Sequence, residues 1–330
     1  MEIGDIKSTA VGVVGLGLMG SSIVVSLLAA GHRVVALAPI PGEKEKAAAH
    51  IADLLRHADS AGMLREGIST CIDALRLVED YGQLASCKVV LECVVEDKMI
   101  KEAVYEQIAA SVTNETVIAS NTSAIPISEL QALVPSPERF LGVHWAEPAY
   151  MTRFLEVTCG KQTNLQVADY IMQLGVLWGK EPTLLRKDIR GFITNRLMYA
   201  VYREALMLIE AGHTTLGDAD KAFRYDVGSW VTLMGIFRRM DFMGLKDYAQ
   251  GFERIFKELN NTNEVPELMK RIVEQQGRGI HNLNGLYEYT EAEAKAWDRA
   301  FAQFNRDIYE LAEKYPEQGA TVTDEKQHSQ

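Results

Sequence analysis

Apolar residues follow two rhythms along the chain. In the first part, short β-branched runs at residues 10–14, 33–37, 88–95 and 116–120 alternate with stretches at helical spacing. Those stretches run up to residue 30, over 43–64 and over 101–110. Strand, helix, strand in this order predicts a mainly parallel sheet with helices on both faces. Further strands are predicted at 140–143 and 154–158, a helix at 167–175 and an extended segment at 182–185. Past Lys187-Asp188 the alternation stops. Helical spacing takes over at 192–210 and returns at 247–259 and 292–314. The expected class is α/β, a doubly wound sheet in residues 1–188 followed by an all-helical domain over 189–315. Residues 316–330 are polar, and disorder is expected there.

The turn after the first run reads Val13-Val14-Gly15-Leu16-Gly17-Leu18-Met19-Gly20, a G-x-G-x-x-G sequence between a predicted strand and a predicted helix. In that setting each glycine has a physical purpose. Gly15 permits the tight turn, Gly17 lets the backbone approach a pyrophosphate, and Gly20 lets the helix pack on the strand. The helix N-terminus then offers free N–H groups and the positive end of its dipole. The turn predicts a Rossmann-like dinucleotide site with Gly15, Leu16, Gly17, Leu18, Met19 and Gly20 around the phosphates. One expected part is missing. The second strand ends in Ala38-Pro39, with no acid for the adenosine ribose hydroxyls and no Arg for a 2′-phosphate. Lys44 and Lys46 follow and read as a solvated first helical turn. NAD is the expected cofactor, because nothing clearly positive awaits the extra phosphate.

Charge narrows the class further. Lys and Arg number 34 against 45 Asp and Glu, a net charge of −11, and no basic cluster stands out. Nucleic-acid binding is therefore not expected. The longest apolar stretches are too short to span a bilayer. The N-terminus, Met-Glu-Ile-Gly-Asp, has no leader-like pattern. The four cysteines, Cys71, Cys87, Cys93 and Cys159, show no paired spacing and read as small buried side chains, and no metal site is expected. The expected setting is the cytoplasm and the expected partner a small molecule.

Two further segments carry chemistry. Ser120-Asn121-Thr122-Ser123 lies just past a strand end, where ligands sit in open α/β sheets. Gly142-Val143-His144-Trp145-Ala146-Glu147-Pro148 is followed by Phe154-Leu155-Glu156-Val157. If the two strands fold back antiparallel around Tyr150, His144 and Glu156 fall opposite each other. A carboxylate facing an imidazole fixes its tautomer and favours the imidazolium, the arrangement of a general base with an orienting acid.

The glycine turn, S-N-T-S, G-x-H-x-x-x-P, the L-E-V strand and Asp188-Ile189-Arg190-Gly191-Phe192-Ile193-Thr194-Asn195-Arg196-Leu197 occur in that order. Together they resemble the 3-hydroxyacyl-CoA dehydrogenase family, including its relatives that oxidise carnitine or sugar acids. The resemblance extends to about Tyr289. It implies NAD-dependent oxidation of a 3-hydroxyacyl-CoA or a small 3-hydroxy acid, with His144 as base, Glu156 as its partner, and Ser123 and Asn195 bonding the substrate oxygen and the base. It implies that Glu96 and Lys101, in Val95-Glu96-Asp97-Lys98-Met99-Ile100-Lys101, line the cofactor site together with Asn121. It also implies a helical substrate domain that forms a homodimer. Asp241-Phe242-Met243-Gly244-Leu245 and Gly277-Arg278-Gly279 look like landmarks of that domain.

The sequence departs from the family pattern at Glu147, where an Asn is usual, and at Gly235-Ile236-Phe237, where Gly-Pro-Phe is usual. It also carries Ser229-Trp230 where many small-substrate relatives have Arg before Trp. Glu147 is expected to pair with Arg153 or turn outward; otherwise it favours a polar or cationic free acid as substrate. Two other readings are open. Gly-Leu-Gly-x-Met-Gly with Gly31-His32-x-Val also resembles hydroxyisobutyrate and phosphogluconate dehydrogenases, but the helix over 191–210 lacks their catalytic lysine. A catalytically silent dinucleotide sensor is the other, and it predicts erosion at catalytic positions that are all present.

Overall fold

A computed structural model of the chain describes residues 9–315. The chain divides into two compact units, Met1–Arg196 and Leu197–Gln330, of which 9–196 and 197–315 are described. The tail over 316–330 lies outside the described residues.

The first unit opens with β1 (Val11–Val14), α1 (Leu18–Ala29), β2 (Val34–Leu37), α2 (Glu43–Ser60), α3 (Ile68–Ala74) and β3 (Leu75–Val78). It continues through β4 (Val89–Glu92), α4 (Lys98–Ser111), β5 (Val117–Ser120) and α5 (Ile127–Gln131). β6 (Phe140–Trp145), β7 (Phe154–Cys159), α6 (Leu165–Leu177) and β8 (Glu181–Leu185) complete it. All eight strands form one sheet in the order β3-β2-β1-β4-β5-β6-β7-β8. Pairing is parallel except between β6 and β7, which run antiparallel. β1, β2, β4 and β5 are buried along their whole length. That explains their unbroken apolar runs, since helices cover both sheet faces.

The strand order reverses between β1 and β4. At such a switch point the loops leaving the two carboxyl ends diverge and open a crevice for a ligand. The glycine turn and the segment after Glu92 border that crevice.

Several boundaries differ from the expectation. Strand β3 and helix α3 have no counterpart in it. β3 is a short edge strand, Leu-Arg-Leu-Val, with Val78 its only buried residue, so its pattern is too brief to stand out. The helix expected to residue 64 stops at Ser60, and Gly62 follows at φ 69°, outside helical backbone. The helix expected from 101 starts three residues earlier. Asp97 caps it, its carboxylate accepting from the Met99 and Ile100 N–H groups.

The second unit is helical: α7 (Thr194–Glu210, which starts at the end of the first unit), α8 (Leu216–Ala222), α9 (Gly228–Met243), α10 (Leu245–Ile255), α11 (Glu267–Glu274) and α12 (Glu291–Lys314). α9 is broken at Gly235, whose φ of 66° and ψ of −169° glycine alone adopts readily. Helices α7 to α11 bury no residue. Phe237, Phe242, Phe256 and Phe304 are all largely exposed.

Candidate active site

The glycine turn has the shape its sequence demands. Gly15 sits at φ 91°, and a Cβ there would lie 2.8 Å from the Cys93 carbonyl carbon. A Cβ at Gly20 would lie 1.8 Å from the Gly15 oxygen, so any larger residue would force the helix off the strand. Gly17 faces open space. A Cβ there would meet nothing within 4 Å, and the residue precedes α1 without any side-chain cap. The first N–H groups of α1 are therefore presented beside an unobstructed backbone. That suits a pyrophosphate, which needs close approach and the positive end of a helix dipole. Leu16, Leu18 and Met19 form the rim of the turn, Leu18 being exposed.

Across the switch point, Glu92 ends β4 fully buried. Its carboxylate accepts from Lys101 Nζ, the Tyr105 hydroxyl and the Ser120 hydroxyl, each at 2.7 Å, and from the Val94 N–H at 2.8 Å. Lys101, also buried, lies 3.4 Å from Glu96. Glu96 in turn accepts from the Thr122 hydroxyl and the Ala124 N–H. Burial alone would raise the Glu96 carboxyl. The bond from Thr122 and the nearby Lys101 ammonium outweigh it and hold the group below its usual range. Burial and the Glu92 carboxylate push the Cys93 thiol up, which removes it as a nucleophile.

This network ties the loop after β4 to the Ser-Asn-Thr-Ser turn after β5. Of the expected cofactor residues, Glu96 lies at the partly exposed edge of the crevice, whereas Lys101 lies behind it, spent on two carboxylates and the Val94 carbonyl. Asn121 Oδ1 accepts from the Trp145 N–H at 3.0 Å, tying the same turn to β6. The sequence reading misses Glu92, although a glutamate closing an apolar strand run is a visible signal.

On β6 and β7 the expected opposition is present: His144 pairs in register with Glu156 across the antiparallel ladder. His144 Nδ1 lies 3.3 Å from Glu156 Oε2. Glu156 is buried, and its other oxygen accepts from the Ile193 N–H at 2.7 Å and more weakly from the Thr194 N–H at 3.4 Å. The N-terminus of α7 thus caps the carboxylate that orients the imidazole. The His144 ring lies between two aromatic edges, with centroids 5.4 Å from Phe154 and 6.0 Å from Phe192. Phe192 is buried and sits at φ 50° just after Gly191 at φ 83°. That left-handed pair turns the chain sharply into α7, and it is why the helix expected from 192 begins at Thr194. Asn195 Nδ2 donates to the Ser123 backbone carbonyl at 3.1 Å, with Ser123 exposed.

The loop between β6 and β7 is held from beneath. Lys180 is buried; its Nζ donates to the Ala149 and Thr152 carbonyls and lies over the Trp145 ring, 5.4 Å from the centroid. Burial, with Arg153 nearby, lowers the Lys180 ammonium to about 7. Glu147 does not turn outward as one expectation had it. Its carboxyl is half-buried beside Ser22 of α1, and Oε2 is buried with no hydrogen-bond partner among the described residues. Arg153 approaches Glu181 at 3.4 Å. Burial pushes the Glu147 carboxyl up to about 7 against the opposing bond from Ser22. Lys180 and Ser22 give no sequence signal, because their partners are backbone groups or residues more than a hundred positions away.

A dinucleotide crevice, an imidazole in register with a buried carboxylate, and a polar turn thus lie at the ends of strands of one sheet. Comparison with known proteins gives the family. Family models for the 3-hydroxyacyl-CoA dehydrogenase NAD-binding domain and C-terminal domain match residues 10–189 and 191–289. The chain is 31% identical over 293 residues to 5-formyl-3-hydroxy-2-methylpyridine 4-carboxylate 5-dehydrogenase of Mesorhizobium japonicum, covering 87% of this chain and 92% of the relative. It is 30% identical to 3-hydroxybutyryl-CoA dehydrogenase of Mycobacterium tuberculosis, covering 84% of this chain and 98% of that one. A crystal structure of 5-formyl-3-hydroxy-2-methylpyridine 4-carboxylic acid 5-dehydrogenase, described as an NAD+-dependent dismutase, aligns with a TM-score of 0.85. It is 29% identical and the alignment covers 93% of this chain and 99% of that one.

Proposed function

The chain belongs to the 3-hydroxyacyl-CoA dehydrogenase family and is an NAD-dependent oxidoreductase, and we propose that it oxidises the hydroxyl of a 3-hydroxyacyl-CoA or small 3-hydroxy acid to the ketone with His144 as general base. The observation that carries this reading is the His144–Glu156 pair, set in register on two strands beside the dinucleotide crevice.

Alcohol oxidation removes a proton from oxygen and a hydride from carbon. NAD, when bound, accepts the hydride. His144 takes the hydroxyl proton at Nε2, since Nδ1 is engaged by Glu156. Glu156 stabilises the imidazolium that forms. The Ile193 N–H, at the α7 N-terminus, holds that carboxylate in place. In this assignment Ser123 and Asn195 bond the substrate oxygen, and in the reverse direction they polarise the carbonyl. The aromatic edges of Phe154 and Phe192 exclude water from the imidazole. In this assignment the glycine turn, Glu96 and the Asn121 turn line the cofactor site, with Lys101 supporting them from behind. Residues to 188 carry cofactor and base, and 189–315 form the substrate domain.

Glu147 favours a second reading of the substrate, a free polar or cationic 3-hydroxy acid. Its unpartnered buried oxygen is an acceptor waiting for a donor, which a thioester carbonyl does not provide.

The helical unit supports a homodimer. Burial stabilises by about 25 cal/mol per Å² of apolar surface, so helices that bury none of their own side chains gain little from it. Another surface must cover their apolar faces, as in a domain core cut in half. A second copy is the occupant that this reading assigns. The four free thiols suit a reducing compartment such as the cytoplasm.

The test is turnover of NADH with acetoacetyl-CoA beside a panel of free 3-keto acids, for the wild type and for His144→Gln. The variant should lose about a hundred- to ten-thousandfold in kcat, the range expected when a general base is removed, while binding NADH with near-normal affinity. Loss of NADH binding with retained kcat would make His144 structural and defeat the assignment.

A further inference from the structure

The direction in which the dinucleotide lies follows from the site and rests on the functional reading above. The pyrophosphate belongs at the turn after β1, and the chemistry belongs at His144 on β6. With the strands ordered β3-β2-β1-β4-β5-β6, the nicotinamide half extends toward β4 and β6. The adenosine half must then extend the opposite way, over the carboxyl ends of β2 and β3.

An acceptor for the ribose hydroxyls ordinarily stands at the end of the second strand. Here that position is Ala38, which is buried and apolar. Next to it the sheet supplies a carboxylate from the neighbouring strand. β2 and β3 pair in parallel with Leu37 opposite Val78, and the Ala38 N–H donates to the Val78 carbonyl at 2.9 Å. Glu79 is therefore the residue level with Ala38 one strand further out. Its side chain is 53% exposed. Its carboxylate accepts from Lys44 Nζ at 3.5 Å, Lys44 standing in the first turn of α2.

We propose that Glu79 replaces the missing strand-end acid: it binds the adenosine ribose hydroxyls and, by engaging Lys44, denies a 2′-phosphate its counter-charge. A carboxylate can accept from both vicinal hydroxyls at once, whereas a 2′-phosphate would face it as a like charge. The Lys44 pair is long and half-exposed, so it yields readily when the ribose arrives. Removing Glu79 has two effects of opposite sign. NADH loses an acceptor, and NADPH gains a lysine with no competing carboxylate. The same carboxylate thus sets both affinity and choice.

The experiment is equilibrium titration of the purified full-length protein with NADH and with NADPH, followed by nucleotide fluorescence, for the wild type, Glu79→Ala, Lys44→Ala and the double variant. Glu79 is exposed, so its replacement leaves packing intact. Glu79→Ala should weaken NADH about tenfold, the scale of one lost hydrogen bond to a charged acceptor, and should tighten NADPH. Lys44→Ala alone should leave NADH affinity nearly unchanged, and in the double variant the NADPH gain should vanish. Unchanged NADH affinity in Glu79→Ala would overturn the proposal, as would equal losses for both nucleotides. A wild type that binds neither nucleotide would instead overturn the dehydrogenase reading itself.

Discussion

Replacing Lys101 with Met tests whether the crevice is held open by a buried ion pair. Lys101 is 1% exposed and Glu92 0%, with Nζ 2.7 Å from the carboxylate. Methionine matches the length of the lysine stem and leaves no large cavity, so the effect isolates the charge. The remaining carboxylate keeps three donors, the Tyr105 and Ser120 hydroxyls and the Val94 N–H. Removing one member of a buried pair costs about 3–5 kcal/mol, and the surviving donors argue for the lower end. For a unit of this size, that lower end corresponds to a fall in Tm of about 6–12 °C. The Trp145–Trp178 stack, with centroids 5.3 Å apart, reports on this unit if Trp230 and Trp297 are changed to Phe. Urea and thermal unfolding followed by that emission give the magnitude. Adding Glu92→Gln to Lys101→Met removes the stranded charge and should restore most of the loss. A single variant within about 1 kcal/mol of the parent, or a double variant no better than the single, would refute the buried-pair account.

The remaining predictions concern pH and assembly. The Glu147 carboxyl is raised from 4.5 to about 7 in the folded protein, so the folded state binds more protons than the unfolded one between those values. Stability therefore falls as pH rises through that window and levels off above it; Glu147→Gln should flatten the slope, and an unchanged profile in urea titrations would exclude Glu147 as its source. If a second copy covers the helical faces, sedimentation should show a dimer at micromolar concentration, and the melting of the helical unit should fall on dilution. A monomer whose helical unit melts at the same temperature across roughly a hundredfold dilution would refute the dimer.

What is readable in the sequence divides by the range of the interactions involved. The glycine turn and the strand runs of β1, β2, β4 and β5 are local patterns, and the structure places each within a few residues of its expected position. The opposition of His144 and Glu156 is also legible, because antiparallel pairing about a turn converts sequence separation into register by simple reflection. The helix start at Thr194 is not, since it depends on Phe192 adopting a left-handed conformation against the His144 ring. The Glu92 cluster escapes for a related reason. Its donors come from residues 94, 101, 105 and 120, on a loop, a helix and a strand whose spacing has no common period. The edge strand β3 escapes because an edge buries little and so leaves little pattern.

Glu79 shows how that last omission reaches function. Without β3 in the sheet, the end of β2 reads as a ribose site lacking its acid, and cofactor choice rests on the weak argument that no positive charge stands there. With β3 paired to β2, the residue level with Ala38 is a carboxylate already holding the nearest lysine. The same sequence then specifies the unphosphorylated dinucleotide by a positive contact and a repulsion together. Discrimination built from both terms is steeper than either supplies alone, because one substrate gains the contact that the other must oppose. A strand too short to announce itself thus carries the group that would choose the cofactor. The departure at Ala38 is then a relocation of the acid by one strand spacing, about 4.8 Å.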